Sequence, residues 1–137
     1  MLEKRELKHR EIIHFGRILG KYKLSDEVIK DFNECYEEVK GHLASFGPRL
    51  AGRLDSELKI NSIIEKTKGM PVIIDCINDY IDALIRHKKL FPQSYNANII
   101  SAWVNDMVEG EYNPPHTHHD NVGYSSVLFL KIPHFVN

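Results

Sequence analysis

Apolar residues recur along this chain with two different periods, and the change of period divides it. In "LSDEVIKDFNECYEEVKG", Val28, Phe32, Cys35, Tyr36 and Val39 return at helical spacing. Ser25 is placed to cap this helix, Asp26 and Glu27 put negative charge in its first turn, and Gly41 supplies a stop. A stronger helix is predicted over "MPVIIDCINDYIDALIRHKKLF". Val72, Ile73, Cys76, Ile77, Tyr80, Ile81, Leu84 and Ile85 form a wide apolar stripe. Pro71 suits a first helical position, and Arg86, His87, Lys88 and Lys89 put positive charge at the end the helix dipole favours. Ahead of both helices, "IIHFGRIL" reads as one short strand with Gly16 inside it, and residues 1–11 as a mobile or helical arm. "HLASFGPRLAGRLDSELKI" reads as an ordered loop with a short strand or turn.

After Phe91-Pro92 the pattern becomes strand-like. "NANIISAWVNDMV" is rich in β-branched and aromatic residues, "GEYNPP" is turn chemistry, and "YSSVLFLKIP" reads as a buried strand closed by Pro133. Helices first and strands last, without βαβ alternation or internal repeats, predict an α+β fold with helices packed on an antiparallel sheet. The helix over 72–85 is expected to seat on the strands that carry Trp103 and Leu128, with Trp103 in the core.

With 137 residues the chain has material for one domain with one core. Hydrophobic content of 42% with 27% charged residues fits a globular protein rather than a disordered one. A net charge of −1 argues against nucleic acid and anionic membrane as partners. The charged start "MLEKRELKHREIIHFG" does not read as a signal peptide, and no apolar run approaches the roughly 20 residues that span a bilayer. Cys35 and Cys76 lack metal-ligand spacing and read as buried thiols of a protein in a reducing cytoplasm.

The densest chemistry lies in "NPPHTHHDN". His116, His118 and Asp120 share one face of an extended chain, and Thr117 and His119 share the other. Imidazoles at i and i+2 can reach one metal ion, and two histidines with a carboxylate are the donor set of non-haem Fe(II) oxygenases. Imidazole also suits zinc, copper and nickel, and the competing reading is a solvated histidine-rich loop. No GxSxG or exposed cysteine supports a hydrolase.

The stretch "AWVNDMVEGEYNPPHTHHDNVGYSSVLFLKIP" carries a W-x-N strand, a G-E-Y-N-P turn, an H-x-H pair and S-x-V-x-F-L-K-x-P. It resembles the 2-oxoglutarate- and Fe(II)-dependent oxygenase superfamily, and within it the prolyl-hydroxylase-like proteins of bacteriophages. "FGPRLAGRLDSELKI" is similar to the L-A-G-x-[IL]-x-x-E segment of that group. The resemblance spans roughly residues 12–133, and 12–137 is expected to be an oxygenase-like domain. It implies the first half of a double-stranded β-helix, or jelly-roll, with helices buttressing one sheet. It implies Fe(II) held by His116 and His118, or by the alternative pair His118 and Asp120, with His119 facing away. It places Asn105 where relatives present a polar side chain to 2-oxoglutarate.

In the superfamily a distal histidine and a basic residue for the co-substrate carboxylate follow several strands later. No such pair is identified before Asn137, so the domain is expected to be incomplete at its C-terminus and the isolated chain inactive. The substrate is expected to be a protein side chain such as proline, or something smaller, and the location cytoplasmic, in the host if phage-encoded. An oligomer or partner chain is expected to cover the open sheet edges. The alternative function is a non-catalytic structural or interaction protein derived from the same fold.

Overall fold

The computed structural model describes residues 10–42, 57–114 and 123–132. The order of elements is β1 (Arg10–Phe15), β2 (Arg17–Tyr22), α1 (Asp26–Val39), β3 (Glu57–Lys59), α2 (Asn61–Ile64), α3 (Met70–Arg86) and β4 (Trp103–Asn105). Helices and strands are mixed, and both sheets are two-stranded and antiparallel, β1 with β2 and β3 with β4. The chain divides into two compact units, one of Met1–Ile29 and Lys68–Asn98, the other of Lys30–Thr67 and Ile99–Asn137. No helix among the described residues is long and apolar enough to cross a membrane.

In the first unit, the segment expected to be one strand is a hairpin. Gly16 takes φ 77, a conformation that costs glycine nothing, and the chain reverses there. Arg10 and Glu11, expected in the arm, belong to β1. Glu11 pairs directly with Lys21 across the hairpin, and their charges meet at 3.3 Å. Helix α3 packs on β2. Tyr80 Oη donates to the Ile18 carbonyl at 2.6 Å, and a Cβ on Gly20 would lie 3.0 Å from the rings of both Tyr22 and Tyr80. Asp79 accepts from Arg10 Nη1 at 2.8 and 2.7 Å and from Tyr22 Oη at 3.0 Å, tying the open end of the hairpin, where these two residues pair, to the helix. Among the described residues, Ile18, Met70, Cys76, Ala83 and Leu84 are the buried side chains here. The seat of α3 is therefore the hairpin. Trp103, expected in the core beneath it, is 39% exposed, and Leu128 is 37% exposed.

Both ends of α3 follow local rules. Pro71 occupies its first turn. At its C-terminus Lys89 N–H reaches the Leu84 carbonyl and Lys88 N–H reaches Ile85, the paired bonds of a Schellman motif. The residue after the cap is Lys88, at φ 55, a position where glycine is the usual choice. Lys88→Gly is expected to raise stability by about 0.5–1 kcal/mol, because it removes a left-handed lysine whose cost exceeds the extra chain entropy of glycine. Urea unfolding of the two proteins measures the difference.

Helix α1 forms as expected. Ser25 accepts the first helical bond from Ile29 through its carbonyl, and its Oγ accepts from Val28 N–H at 3.5 Å. The Glu27 carboxyl is held below its ordinary range by a hydrogen bond to its own backbone and then by Ser25. Gly41 does not act as a left-handed stop: the positive-φ glycines among the described residues are Gly16 and Gly110. The helix ends instead in a turn that His42 N–H closes on the Val39 carbonyl.

In the second unit, Phe32 and Tyr36 of α1 are buried. The β3–β4 ladder is short, but it is extended beyond the strands by Asn61. Ile60 N–H donates to the Ala102 carbonyl, Asn61 Nδ2 donates to the Ile100 carbonyl, and Asn61 Oδ1 accepts from Ala102 N–H, each at 2.9 Å. The side-chain amide copies a peptide group on the incoming strand. The longer strand expected over "NANIISAWVNDMV" is realised as Trp103–Asn105 alone. The buried strand expected over "YSSVLFLKIP" is not formed: residues 123–132 carry no strand, and Val127, Phe129 and Ile132 are exposed. A run that is apolar on both faces forms a strand only when a neighbouring strand pairs with its backbone, and among the described residues no backbone–backbone hydrogen bond involves 125–131.

Candidate functional site

The sequence places the candidate chemistry at Asn105 and at His116, His118 and Asp120. Asn105 is the last residue of β4, opposite Glu57 of β3 in the backbone register. His116, His118, His119 and Asp120 lie outside the described residues. Among the described residues, no group of three or more His, Cys, Asp or Glu side chains could hold a metal ion.

The approach to the histidines is built in three steps. First, the Asn61 amide and Ile60 fix the chain that enters β4. Second, Asp106 accepts a hydrogen bond from Tyr36 Oη of α1 at 3.0 Å, which ties the end of the strand to the helix. Third, a reverse turn closes over Val108–Glu111. Glu111 N–H donates to the Val108 carbonyl, Glu111 Oε2 accepts from Val108 N–H at 2.8 Å, and Gly110 takes φ 85, as the third position of a type II turn requires. The turn expected over "GEYNPP" is thus centred on Glu109-Gly110, and Asn113 and Pro114 follow it half-buried.

Asn105 is the informative residue. Its Oδ1 is buried and has no hydrogen-bond partner among the described residues. An asparagine retained only to hold strand geometry satisfies its amide internally, because an unpartnered buried polar atom costs about 1–3 kcal/mol. A side chain meant for a ligand leaves that bond open. An acceptor alone does not suit 2-oxoglutarate, whose carboxylates are acceptors too. The same amide carries two donors, and a half-turn about its last torsion exchanges oxygen and nitrogen within nearly the same volume. Asn105 therefore fits a small polar ligand, and through Nδ2 it fits a carboxylate.

The same α1 face that holds Asp106 holds the segment after the histidines. Asn33 Nδ2 donates to the Leu130 carbonyl at 3.3 Å, and Glu37 accepts from Lys131 at 3.1 Å. Asn33, Tyr36, Glu37 and Lys40 are successive i, i+3, i+4 and i+7 neighbours on that face. Hydrogen bonds from Lys40, and then from Lys131, hold the Glu37 carboxyl below its ordinary range. The sequence alone read Tyr36 only as part of an apolar stripe and did not single out Asn33, Asn61 or Asp106, because each acts through a partner far away in the chain.

The thiols offer no competing nucleophile. Burial, and then the charges of Asp75 and Asp79, push Cys76 up to about 11. Burial, and then Glu38 and Asp31, also raise Cys35. Both remain protonated and weakly nucleophilic at neutral pH. Burial, and then the hydrogen bond to Asp79, hold the Tyr22 phenol above its ordinary range, which fits a structural clamp. Comparison with known proteins returns no match: no family model, no curated protein and no solved structure matches this chain.

Proposed function

We propose that this chain is an Fe(II)- and 2-oxoglutarate-dependent oxygenase of the phage prolyl-hydroxylase-like type, or a piece of one, with a jelly-roll as its full core. The observation that carries the reading is the buried, unpartnered amide oxygen of Asn105, on the strand that leads into the H-x-H segment. His116 and His118, or His118 and Asp120, would hold the iron. Bound iron and co-substrate would supply the oxidising chemistry. Asn105 Nδ2 would orient a co-substrate carboxylate, and the Val108–Glu111 turn would set the direction from which the histidines enter. The substrate class is a protein side chain or a smaller molecule.

Asn105→Ala separates a ligand-facing role from a structural one. Removing an orphaned buried oxygen relieves a desolvation cost, so the variant is expected to melt at the same temperature as the parent or higher. It is also expected to bind 2-oxoglutarate at least about tenfold more weakly, roughly 1.4 kcal/mol, in anaerobic calorimetric titrations with Fe(II). Unchanged binding together with a lower melting temperature would make Asn105 structural and remove the support for this reading.

A second reading, a non-catalytic interaction protein, is favoured by a different observation. Phe91, Val108, Val127, Phe129 and Ile132 are all more than half exposed, more than a chain with no partner usually leaves in water.

A further inference from the structure

Within residues 125–131, "SSVLFLK", the side chains from Val127 to Leu130 alternate in exposure as in a strand. Val127 is 78% exposed and Phe129 68%, whereas Leu128 falls to 37% and Leu130 is half-buried. Among the described residues, no backbone–backbone hydrogen bond involves 125–131. The segment is nevertheless anchored, by Asn33 on the Leu130 carbonyl and by Glu37 on Lys131. An anchored, apolar edge with open N–H and C=O groups is a template for strand addition.

We propose that this edge pairs with the same edge of a second copy, antiparallel about a two-fold axis at Leu128. The register then follows from the sequence. Leu128 meets Leu128, Val127 meets Phe129, Ser126 meets Leu130, and Ser125 meets Lys131. Val127 against Phe129 is a β-branched–aromatic pair of the kind that stabilises antiparallel ladders, and it occurs twice by symmetry. The self-complementary register favours the second copy over a foreign strand, and charge does not oppose it. Residues 125–130 carry no charge that would select a charged partner. Lys131 is already matched by Glu37, and in this register the two Lys131 side chains lie opposite serines, so like charges never meet. Edges meant to stay single usually carry a charge or a proline in the middle, and this one carries neither. The inference is independent of the oxygenase reading.

Sedimentation velocity across a concentration series tests it on the full chain. A monomer–dimer equilibrium is expected. Val127→Lys alters a side chain that is already exposed, so its thermal melt should match the parent. It should raise the dimer Kd by about tenfold or more, since two lysines enter each interface. Leu128→Cys should form a disulfide-linked dimer under mild oxidation, because the two copies of position 128 lie face to face. Val127→Cys should not, because its copies lie diagonally, about 7–8 Å apart and beyond disulfide reach. A monomer at every concentration would overturn the proposal. So would a dimer that Val127→Lys leaves unchanged, or equal cross-linking of the two cysteine variants.

Discussion

Leu84→Ala should lower the unfolding free energy by about 2–5 kcal/mol, the range for emptying a leucine site in a packed core. Leu84 is 3% exposed, one turn on from Tyr80, which bonds β2, and beside the fully buried Ala83. Its carbonyl also accepts the closing bond of the helix from Lys89, and alanine keeps that bond. The loss should therefore come from packing alone. Ile77, central in the apolar stripe, is only half-buried. Truncating it removes less buried surface and should cost visibly less than truncating Leu84. Denaturant unfolding followed by far-UV circular dichroism gives both values. A loss below about 1 kcal/mol at Leu84 would mean that the helix does not depend on this seat.

That ordering of Leu84 over Ile77 shows what the sequence can and cannot convey. Both long helices were legible because their signals are local. The stripe on α3, Pro71 at its start and Ser25 before α1 all act within a turn or two of where they are read. The apolar stripe is wider than the buried face, however, and periodicity does not say which edge of it meets a neighbour. Strands were harder, since a strand exists only when a distant segment pairs with it. Gly16 inside "IIHFGRIL" looked like a tolerated interruption and proved to be the turn of a hairpin. "YSSVLFLKIP" has every intrinsic preference for a strand, yet among the described residues no backbone–backbone hydrogen bond involves 125–131. The tyrosine clamps, Tyr80 on Ile18 and Tyr36 on Asp106, join residues 62 and 70 positions apart, and nothing in either local sequence announces them. At the candidate site, Asn105 was legible through the W-x-N pattern. The burial of its Oδ1 without a partner among the described residues was not legible there.

The histidines supply the second large effect, and here the expectation rests on sequence geometry. In an extended chain side chains alternate, so the spacing alone would put His116, His118 and Asp120 on one face and His119 on the other. His118 belongs to both candidate ligand pairs. His118→Ala should therefore abolish Co(II) binding whichever pair is used, a loss exceeding the roughly 10–100-fold that outer-shell partners cost. His116→Ala should do the same if the pair is His116 with His118, the pair nearer to Tyr112-Asn113-Pro114 in the sequence. Asp120→Asn should do so only if the pair is His118 with Asp120. His119→Ala should barely matter in either case. Visible-absorption titration with Co(II), whose ligand-field bands report inner-sphere imidazole, separates these outcomes in four variants. Equal losses at His118 and His119 would show a histidine-rich tract that takes metal without a defined ligand pair, and the oxygenase reading would then lose its metal.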